Sequence, residues 1–277
     1  MVVPILVGMC VGQVNKIIDR SLASVVCVGG VSALTYASVI NNAVQEVLVT
    51  GIITVLFSQC AELVVRGEHG KVKAKLETTI NTMVFLLLPA AVGVIILARP
   101  IVALVFGHGR FDEESISMTT GALRCYTAGL LFLAVRDTLV KVFYAYKETK
   151  TTTVVSIASI LINIIFNFVL YHFIGLNGLA LATALSAVFN AVVLYVLLRK
   201  KIGDFGFGST MGVAIKSFAA CFIMTLVVMG VQFVGKSING FVALVLSVVA
   251  GIVVYFFMAL LLKVSPVMMV FKRIKKR

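Results

Sequence analysis

One acidic residue stands in a long apolar stretch near the start of the chain, where a charge is costly. Asp19 follows Asn15 by four positions in the stretch 2–27, so the two side chains share one face of a helix. A charge near the centre of a membrane span costs about 2.5–3.5 kcal/mol on insertion scales. Asp19 is therefore expected to bind a cation, to take up a proton, or to pair with Lys16, which lies three positions earlier.

Oxygen-bearing side chains recur in two later apolar stretches. Asn163 and Asn167 are four positions apart in one of them, and Thr183 lies in the next. With Asp19 they offer a carboxylate, two amide oxygens and a hydroxyl, which are hard ligands suited to a small cation such as Na⁺. The same residue types also join membrane helices by hydrogen bonds alone. Spacing leaves both interpretations open.

Basic residues accompany Asp19. Lys16 and Arg20 are four positions apart and form a neighbouring stripe. If the stripe faces an internal cavity, it would meet an anionic substrate, because Lys and Arg bind phosphate groups. Alternatively, Arg20 extends to the membrane interface and Lys16 pairs inside the bundle. Arg136 and Asp137 are expected to form a local pair at the interface rather than a substrate contact.

Composition predicts the elements that hold these residues. The chain has 277 residues, of which 61% are hydrophobic and only 13% are charged, and its mean hydropathy is +1.12. A soluble domain carries roughly 25% charged residues. The apolar stretches are continuous, so we predict an all-α integral membrane protein whose helices satisfy their own backbone hydrogen bonds. The formal charge of +13 then reflects cytoplasmic loops rather than nucleic-acid binding.

Eight stretches are long enough to cross a bilayer, for which about 20 apolar residues suffice. They lie at about 2–27, 31–64, 78–98, 115–140, 211–234 and 239–262, with two more within 151–198. The turn between the fifth and sixth is placed at Gly175–Gly178, and Pro89 predicts a kink in the third. The cysteines are interpreted as small apolar side chains rather than disulfides or metal ligands; they are Cys10, Cys27, Cys60, Cys125 and Cys221.

Basic residues are concentrated in alternate connectors. Sixteen Lys and Arg lie in the connectors at 66–75, 141–150, 199–201 and 263–277. The connectors on the other side carry three, which are Arg99, Arg110 and Lys236. Because cytoplasmic loops accumulate Lys and Arg, we expect a multi-pass protein of the bacterial cytoplasmic membrane with both termini in the cytoplasm. The sequence has no P-loop and no Ser-His-Asp pattern, so no enzyme activity and no cofactor beyond a coupling ion are expected.

Five short strings, in this order, resemble the MurJ/MviN family of lipid II flippases within the multidrug/oligosaccharidyl-lipid/polysaccharide exporter superfamily. They are QVNKIIDRSLAS at 13–24, GVSALTYA at 30–37, FGHGRFD at 106–112, FYAYKET at 143–149 and GLNGLALAT at 175–183. The resemblance covers nearly the whole chain but only part of the family's length. It implies that residues 1–200 are the second six-helix lobe and that residues 201–277 are two additional helices and a basic tail.

The resemblance also implies a function and its sites. The expected cargo is an undecaprenyl-diphosphate-linked peptidoglycan precursor, moved by alternating access, with Lys16, Arg20 and Asn42 in the substrate cavity. A Na⁺ or proton site would comprise Asp19, Asn163, Asn167 and Thr183, with the Leu179 carbonyl as a further ligand. The first lobe, which carries cavity arginines in the family, would come from a separate chain or from sequence outside this one. Membrane lipids are the other expected partners.

Two positions depart from the family pattern. Val39 stands where an arginine commonly faces the cavity, and His108 replaces an arginine in the loop string. Both changes remove positive charge that would meet an anionic head group. Related cargoes, such as another polysaccharide-linked lipid or a drug, and a non-transporting half-transporter therefore stay as alternatives.

The distribution of basic residues gives a topology that labelling can test. Single cysteines introduced at Lys71 and Lys200 should react with an impermeant thiol reagent only after the membrane is opened, because both positions lie in predicted cytoplasmic connectors. A cysteine at Glu114 should react from outside in intact cells. Finding the basic C-terminal cluster outside the cell would overturn the eight-crossing arrangement.

Overall fold

The computed structural model describes residues 2–109, 111–235 and 240–268, with side chains described for Gln13 and from Asn15 onward. Several residues used in the topology argument lie outside the described part. They are Arg110, Lys236 and the basic residues between 272 and 277; the side chain of Cys10 is likewise outside it. The other four cysteines are free thiols, as expected of small apolar residues.

The described chain is helical throughout its ordered elements and contains no strand in these ranges. The elements are α1 (Val2–Val26), α2 (Gly30–Gln45), a π-helical turn (Glu46–Thr50), α3 (Gly51–Val65), α4 (His69–Phe106), α5 (Glu113–Ala128), α6 (Leu130–Ala145), α7 (Thr149–Ile174), α8 (Leu176–Ile202), α9 (Phe207–Val234) and α10 (Gly240–Leu261). The all-α membrane fold is confirmed.

Six helical segments of the described chain are long and apolar enough to span a bilayer. They are Gly30–Val65, α4, α7, α8, α9 and α10. The first predicted crossing, at 2–27, is not among the six, and neither is the fourth. The fourth is divided into α5 and α6, each of 16 residues. The count of eight crossings therefore stays a prediction.

The break between α7 and α8 falls at the predicted turn. Gly175 has φ 56°, a conformation that residues with a side chain rarely adopt, and α8 begins at the next residue. The 48 uncharged positions from 151 to 198 thus form two helices that pack against each other. The prediction of two crossings rather than one is confirmed for this stretch.

Connectors gather at two ends of the bundle. At one end, the His69 ring stacks on Tyr146, and Lys201 at the end of α8 pairs with Glu148. At the other end, Tyr36 of α2 packs on Phe106 and Phe111, which flank the α4–α5 connector. The connectors predicted to be cytoplasmic therefore meet at one end.

The start of α5 lies in the α4–α5 connector and is fixed by a side-chain cap. The Asp112 carboxylate accepts a hydrogen bond of 2.9 Å from the backbone N–H of Ser115, which otherwise has no partner within the helix. This bond favours the charged form and holds the pKa of Asp112 below its usual range. The cap sets the direction in which α5 enters the bundle.

Helices α5 and α6 meet at Gly129, which lies against α8. A β-carbon at position 129 would stand 2.7 Å from the Cα of Ala184, so a side chain there would clash with the α8 backbone. Small residues at such crossings let membrane helices approach closely. Helix α8 is thereby held against both α5 and α6, and α1 packs along α7 on the other side of the lobe.

The last two helices pack on each other and dock on α4. Tyr255 of α10 is almost fully buried, and its hydroxyl donates a 2.7 Å hydrogen bond to the carbonyl oxygen of Phe85. In a regular helix that carbonyl accepts from the N–H of residue 89, which is Pro89 and has none. Tyr255 therefore satisfies the carbonyl that the proline leaves without a donor.

Helix α4 runs without a break across both Pro89 and Pro100. The kink predicted at Pro89 does not interrupt the helix at membrane depth. Proline is tolerated in membrane helices where neighbouring groups satisfy the freed backbone. At Pro89 that group belongs to α10, and a second polar contact joins Asn81 of α4 to Ser209 of α9, with 3.0 Å between Nδ2 and Oγ.

The bond between Tyr255 and Phe85 can be tested by a double-mutant cycle. Tyr255→Phe should lower the free energy of unfolding by about 1–3 kcal/mol, because it leaves a buried carbonyl without a donor. In a Pro89→Ala background the backbone N–H is restored, so the same change should cost less. Unfolding in denaturant, followed by circular dichroism in detergent, measures both values.

Tyr195→Phe is the matched control, because its buried hydroxyl has no hydrogen-bond partner within the described structure. It should change stability little. If Tyr255→Phe costs no more than Tyr195→Phe, the Tyr255 hydroxyl does not compensate for the proline.

Candidate functional site

A polar cavity of about 1030 Å³ opens among α1, α2, α3, α6, α7 and α8. Its basic lining residues are Lys16, Arg20, Arg136 and Lys141, and its acidic ones are Asp19 and Asp137. The remaining polar lining consists mainly of hydroxyl and amide side chains. Four basic groups against two acidic ones give the cavity wall a net positive charge, which suits an anionic ligand.

The three residues predicted for the substrate cavity all line it. Lys16 and Arg20 are exposed on α1, and Asn42 is exposed on α2. Neither basic side chain forms an ion pair with Asp19 among the described residues. Both cations are therefore available to a ligand, and Lys16 is not the partner that neutralises Asp19.

Asp19 is instead held by amide groups from two helices. Asn15 Nδ2 of α1 lies 3.4 Å from one carboxylate oxygen, and Asn167 Nδ2 of α7 donates to the other at 2.6 Å. Asn167 Nδ2 also lies 3.0 Å from Asn163 Oδ1, one helical turn away. The structure thus brings together three of the predicted cation-site residues, Asp19, Asn163 and Asn167.

The other two predicted residues join this network from α8. The Thr183 hydroxyl donates to the Leu179 carbonyl at 3.3 Å. The Thr183 carbonyl accepts from Ser186, whose hydroxyl lies 3.4 Å from Asn163 Nδ2. Thr183 and Leu179 therefore connect to Asp19 only through Ser186 and the two asparagines. Ser186 was missed in the sequence, where one more serine in an apolar helix carries no distinguishing pattern.

Two buried oxygen atoms next to the carboxylate lack a hydrogen-bond donor among the described residues. They are Asn15 Oδ1 and Asn167 Oδ1. Buried acceptors without a partner are uncommon in folded proteins and indicate a bound water or ion. The asparagines face the Asp19 carboxylate with Nδ2, so their oxygens would have to turn toward it to share one ion with it.

Arg136 and Asp137 do pair, but the pair lies in the cavity wall rather than apart from it. Arg136 Nε and Nη2 both donate to Asp137 Oδ1, at 3.0 and 2.7 Å. Gln45 of α2 donates to Asp137 Oδ2 at 2.8 Å. The expectation of a local pair is confirmed, and both of its residues line the cavity. Gln45 is 92 positions from Asp137, so no local pattern relates them.

The two departures from the family pattern lie in different places. Val39 is 53% exposed and lines the large cavity. An uncharged residue at this position therefore leaves the cavity wall without the positive charge that an arginine would bring. His108 lines a separate pocket of about 400 Å³ with Tyr36, Phe106 and Phe111 at the opposite end from Tyr146. Only the change at position 39 alters the cavity.

Comparison with known proteins gives a consistent result. The family model described as lipid II flippase MurJ matches residues 1–250. The probable lipid II flippase MurJ of Haemophilus influenzae is 32% identical over 207 residues, covering 72% of this chain and 40% of that protein. The one from Thermotoga maritima is 26% identical over 265 residues, covering 96% and 53%. The chain spans about two fifths to one half of the relatives that it matches.

Solved structures share the fold. The lipid II flippase MurJ in an inward closed conformation superposes with a TM-score of 0.77 at 24% identity, over 98% of this chain and 53% of that one. An outward-facing multidrug resistance MATE family transporter of the MOP superfamily gives 0.66 at 13% identity, over 93% and 63%. At these identities the likeness concerns the arrangement of helices.

Proposed function

The chain belongs to the lipid II flippase MurJ family, and on that basis we propose that it forms the second lobe of a transporter for a diphosphate-linked lipid. Residues 1–200 would be the lobe, and residues 201–277 two additional helices and a tail. The transporter would act in the bacterial cytoplasmic membrane without covalent chemistry. Its cargo would be an undecaprenyl-diphosphate-linked peptidoglycan precursor, as the name of the family indicates.

The observation that carries this proposal is a cavity of about 1030 Å³ with a net positive wall inside a bundle of membrane helices. A lipid-linked sugar diphosphate has a bulky polar head with negative charge and an apolar tail. Lys16, Arg20 and Asn42 would hold the head, because basic side chains bind phosphate oxygens and amides bind hydroxyl groups. The exposed apolar faces of α9 and α10 would accommodate the tail in the lipid.

Lys16, Arg20 and Asn42 line the cavity and are nevertheless exposed, so a second wall is needed to enclose the head group. That wall would be a first lobe, supplied by polypeptide outside these 277 residues. The two lobes would then rock about the bound head group, opening the cavity to one side of the membrane at a time. Each charge carried across is worth about 2.3 kcal/mol per 100 mV, which lets the membrane potential bias the cycle.

A chimera tests this assignment. The first half of the Thermotoga maritima relative, joined to this chain, should restore growth of a bacterial strain depleted of its lipid II flippase and should flip lipid II in liposomes. This chain alone should show no flipping above protein-free vesicles, because it supplies one wall of the cavity. The first half alone is the matched control.

Two results would contradict the proposal. Flipping by the purified chain as a monomer would show that one lobe suffices. A chimera that reaches the membrane but moves no lipid II, while moving another polysaccharide-linked lipid, would support the alternative cargo that Val39 favours by removing charge from the wall.

We further propose that Na⁺ or a proton couples to transport at Asp19. The carboxylate, the two donor-less asparagine oxygens and the neighbouring Asn163 give a set of hard ligands in one place. Thr183 and the Leu179 carbonyl would complete the set after small side-chain movements. A cation bound here would neutralise Asp19, which otherwise lies unpaired in the lobe.

Thermal stability separates a cation site from a purely structural network. Na⁺ should stabilise the wild type more than K⁺ does at equal ionic strength, by about 2.7 kcal/mol at one hundred times the dissociation constant. Asp19→Asn should abolish the difference, and Asn163→Ala should reduce it. Lys16→Met is the control and should leave it in place, because Lys16 does not contact Asp19. Equal melting temperatures in Na⁺ and K⁺ would remove the Na⁺ site and leave Asp19 in a structural network.

A further inference from the structure

Arg136 presents an unused edge of its guanidinium to the cavity. The group has five N–H donors in a planar fork. Its Nε and Nη2 bond one oxygen of Asp137, and no hydrogen bond from Nη1 is found among the described residues. Because Arg136 lines the cavity, the free edge is available to a ligand. The side chain is therefore fixed on one edge and open on the other.

The carboxylate that fixes Arg136 is itself fully occupied within the wall. Asp137 Oδ1 accepts both bonds from Arg136, and Oδ2 accepts from Gln45 of α2 at 2.8 Å. Adjacent residues on a helix do not normally face each other, so the pair needs such a brace to persist. Gln45 immediately precedes the π-helical turn at Glu46–Thr50, which changes the register of the helix at this point.

The basic residues that line the cavity come from two helices. Lys16 and Arg20 belong to α1, and Arg136 and Lys141 belong to α6.

Helix α2 adds no basic side chain to this series. Its cavity-facing positions are apolar, hydroxyl or amide residues, including Val39 where the family commonly has arginine. Instead, α2 supplies Gln45, which acts on the wall through Asp137. The basic residues that line the cavity thus lie on α1 and α6, and none of them lies on α2.

We propose that Arg136 is a diphosphate contact in this cavity, and that Asp137 and Gln45 are the positioning residues that hold it. The proposal rests on the proposed function, since it assigns a further contact in the same cavity. A guanidinium engages two phosphate oxygens at once. A diphosphate carries more negative charge and more acceptor oxygens than a monophosphate, so a fixed Arg136 acting with Lys16 and Arg20 favours the diphosphate.

Ligand selectivity of the purified chain tests this assignment. The probes are farnesyl diphosphate and farnesyl monophosphate, titrated in detergent with binding measured by calorimetry. Arg136→Gln should weaken diphosphate binding by about tenfold and remove most of the preference over monophosphate. Arg136→Lys should keep the binding of both probes closer to wild type but lose part of the preference. Arg66→Gln is the matched control, since Arg66 also pairs with a neighbouring carboxylate, Glu62, but does not line the cavity.

Asp137→Asn separates positioning from charge. If Asp137 only offsets positive charge, its removal should tighten the binding of both probes. If it positions Arg136, the preference for diphosphate should fall even though the wall becomes more positive. The melting temperature of each unliganded variant is measured in parallel. If Arg136→Gln does not fold, the loss of diphosphate preference in Arg136→Lys tests the assignment instead.

Three outcomes would overturn the proposal. An unchanged preference in Arg136→Gln would remove Arg136 as a contact and leave the proposed function standing on Lys16 and Arg20. Equal losses in Arg136→Gln and Arg66→Gln would indicate a general charge effect. A wild type that does not distinguish the diphosphate from the monophosphate would overturn both this proposal and the diphosphate cargo.

Discussion

Inside a membrane, polar groups have to find partners within the protein, and much of this structure follows from that requirement. Lipid offers no hydrogen bonds, so a backbone carbonyl without a donor costs several kcal/mol. Pro89 creates such a carbonyl at Phe85, and Tyr255 supplies the donor from another helix. The docking of α10 on α4 is thus supported by this bond, while α9 is joined to α4 by the contact between Asn81 and Ser209. The carbonyl that Pro89 leaves without a donor in α4 is thus the point at which Tyr255 of α10 attaches.

The same requirement collects the polar side chains on one face of the lobe. Asp19, Asn163 and Asn167 bond one another across α1 and α7, and Arg136, Asp137 and Gln45 do so across α6 and α2. Both groups contribute to the wall of one cavity and contain its two acidic residues. They differ in which polar atoms stay unpaired among the described residues. The Asp19 group has asparagine oxygens without donors, and the Arg136 group has guanidinium N–H donors without acceptors.

Local spacing predicted which residues share one helix face, but it could not predict which residues on different helices are hydrogen-bonded to each other. The four-residue interval between Asn15 and Asp19 placed them on one face, and Gly175 marked the break between α7 and α8. The bond from Asn167 to Asp19 spans 148 positions, so residue types and the family resemblance suggested the set, but spacing could not show that the two helices touch. Hydropathy reports depth in the membrane but not which face of a helix meets a cavity, so it could not show that Arg136 lines one. Neither Gln45 nor Ser186 carries a pattern that distinguishes it from a packing residue.

The openness of the cavity follows from the cost of charge in lipid. Lys16 and Arg20 are exposed on the surface of the lobe that α1 and α2 present. Such side chains face lipid only at considerable cost, so this surface has to meet water or another polar protein surface. The outer faces of α9 and α10, by contrast, carry exposed apolar residues such as Phe222, Phe233 and Phe257, which suit lipid. The chain therefore has one apolar face that suits lipid, on α9 and α10, and one charged face, on α1, that is costly to expose to lipid. The second face is the one that a complementary lobe would cover.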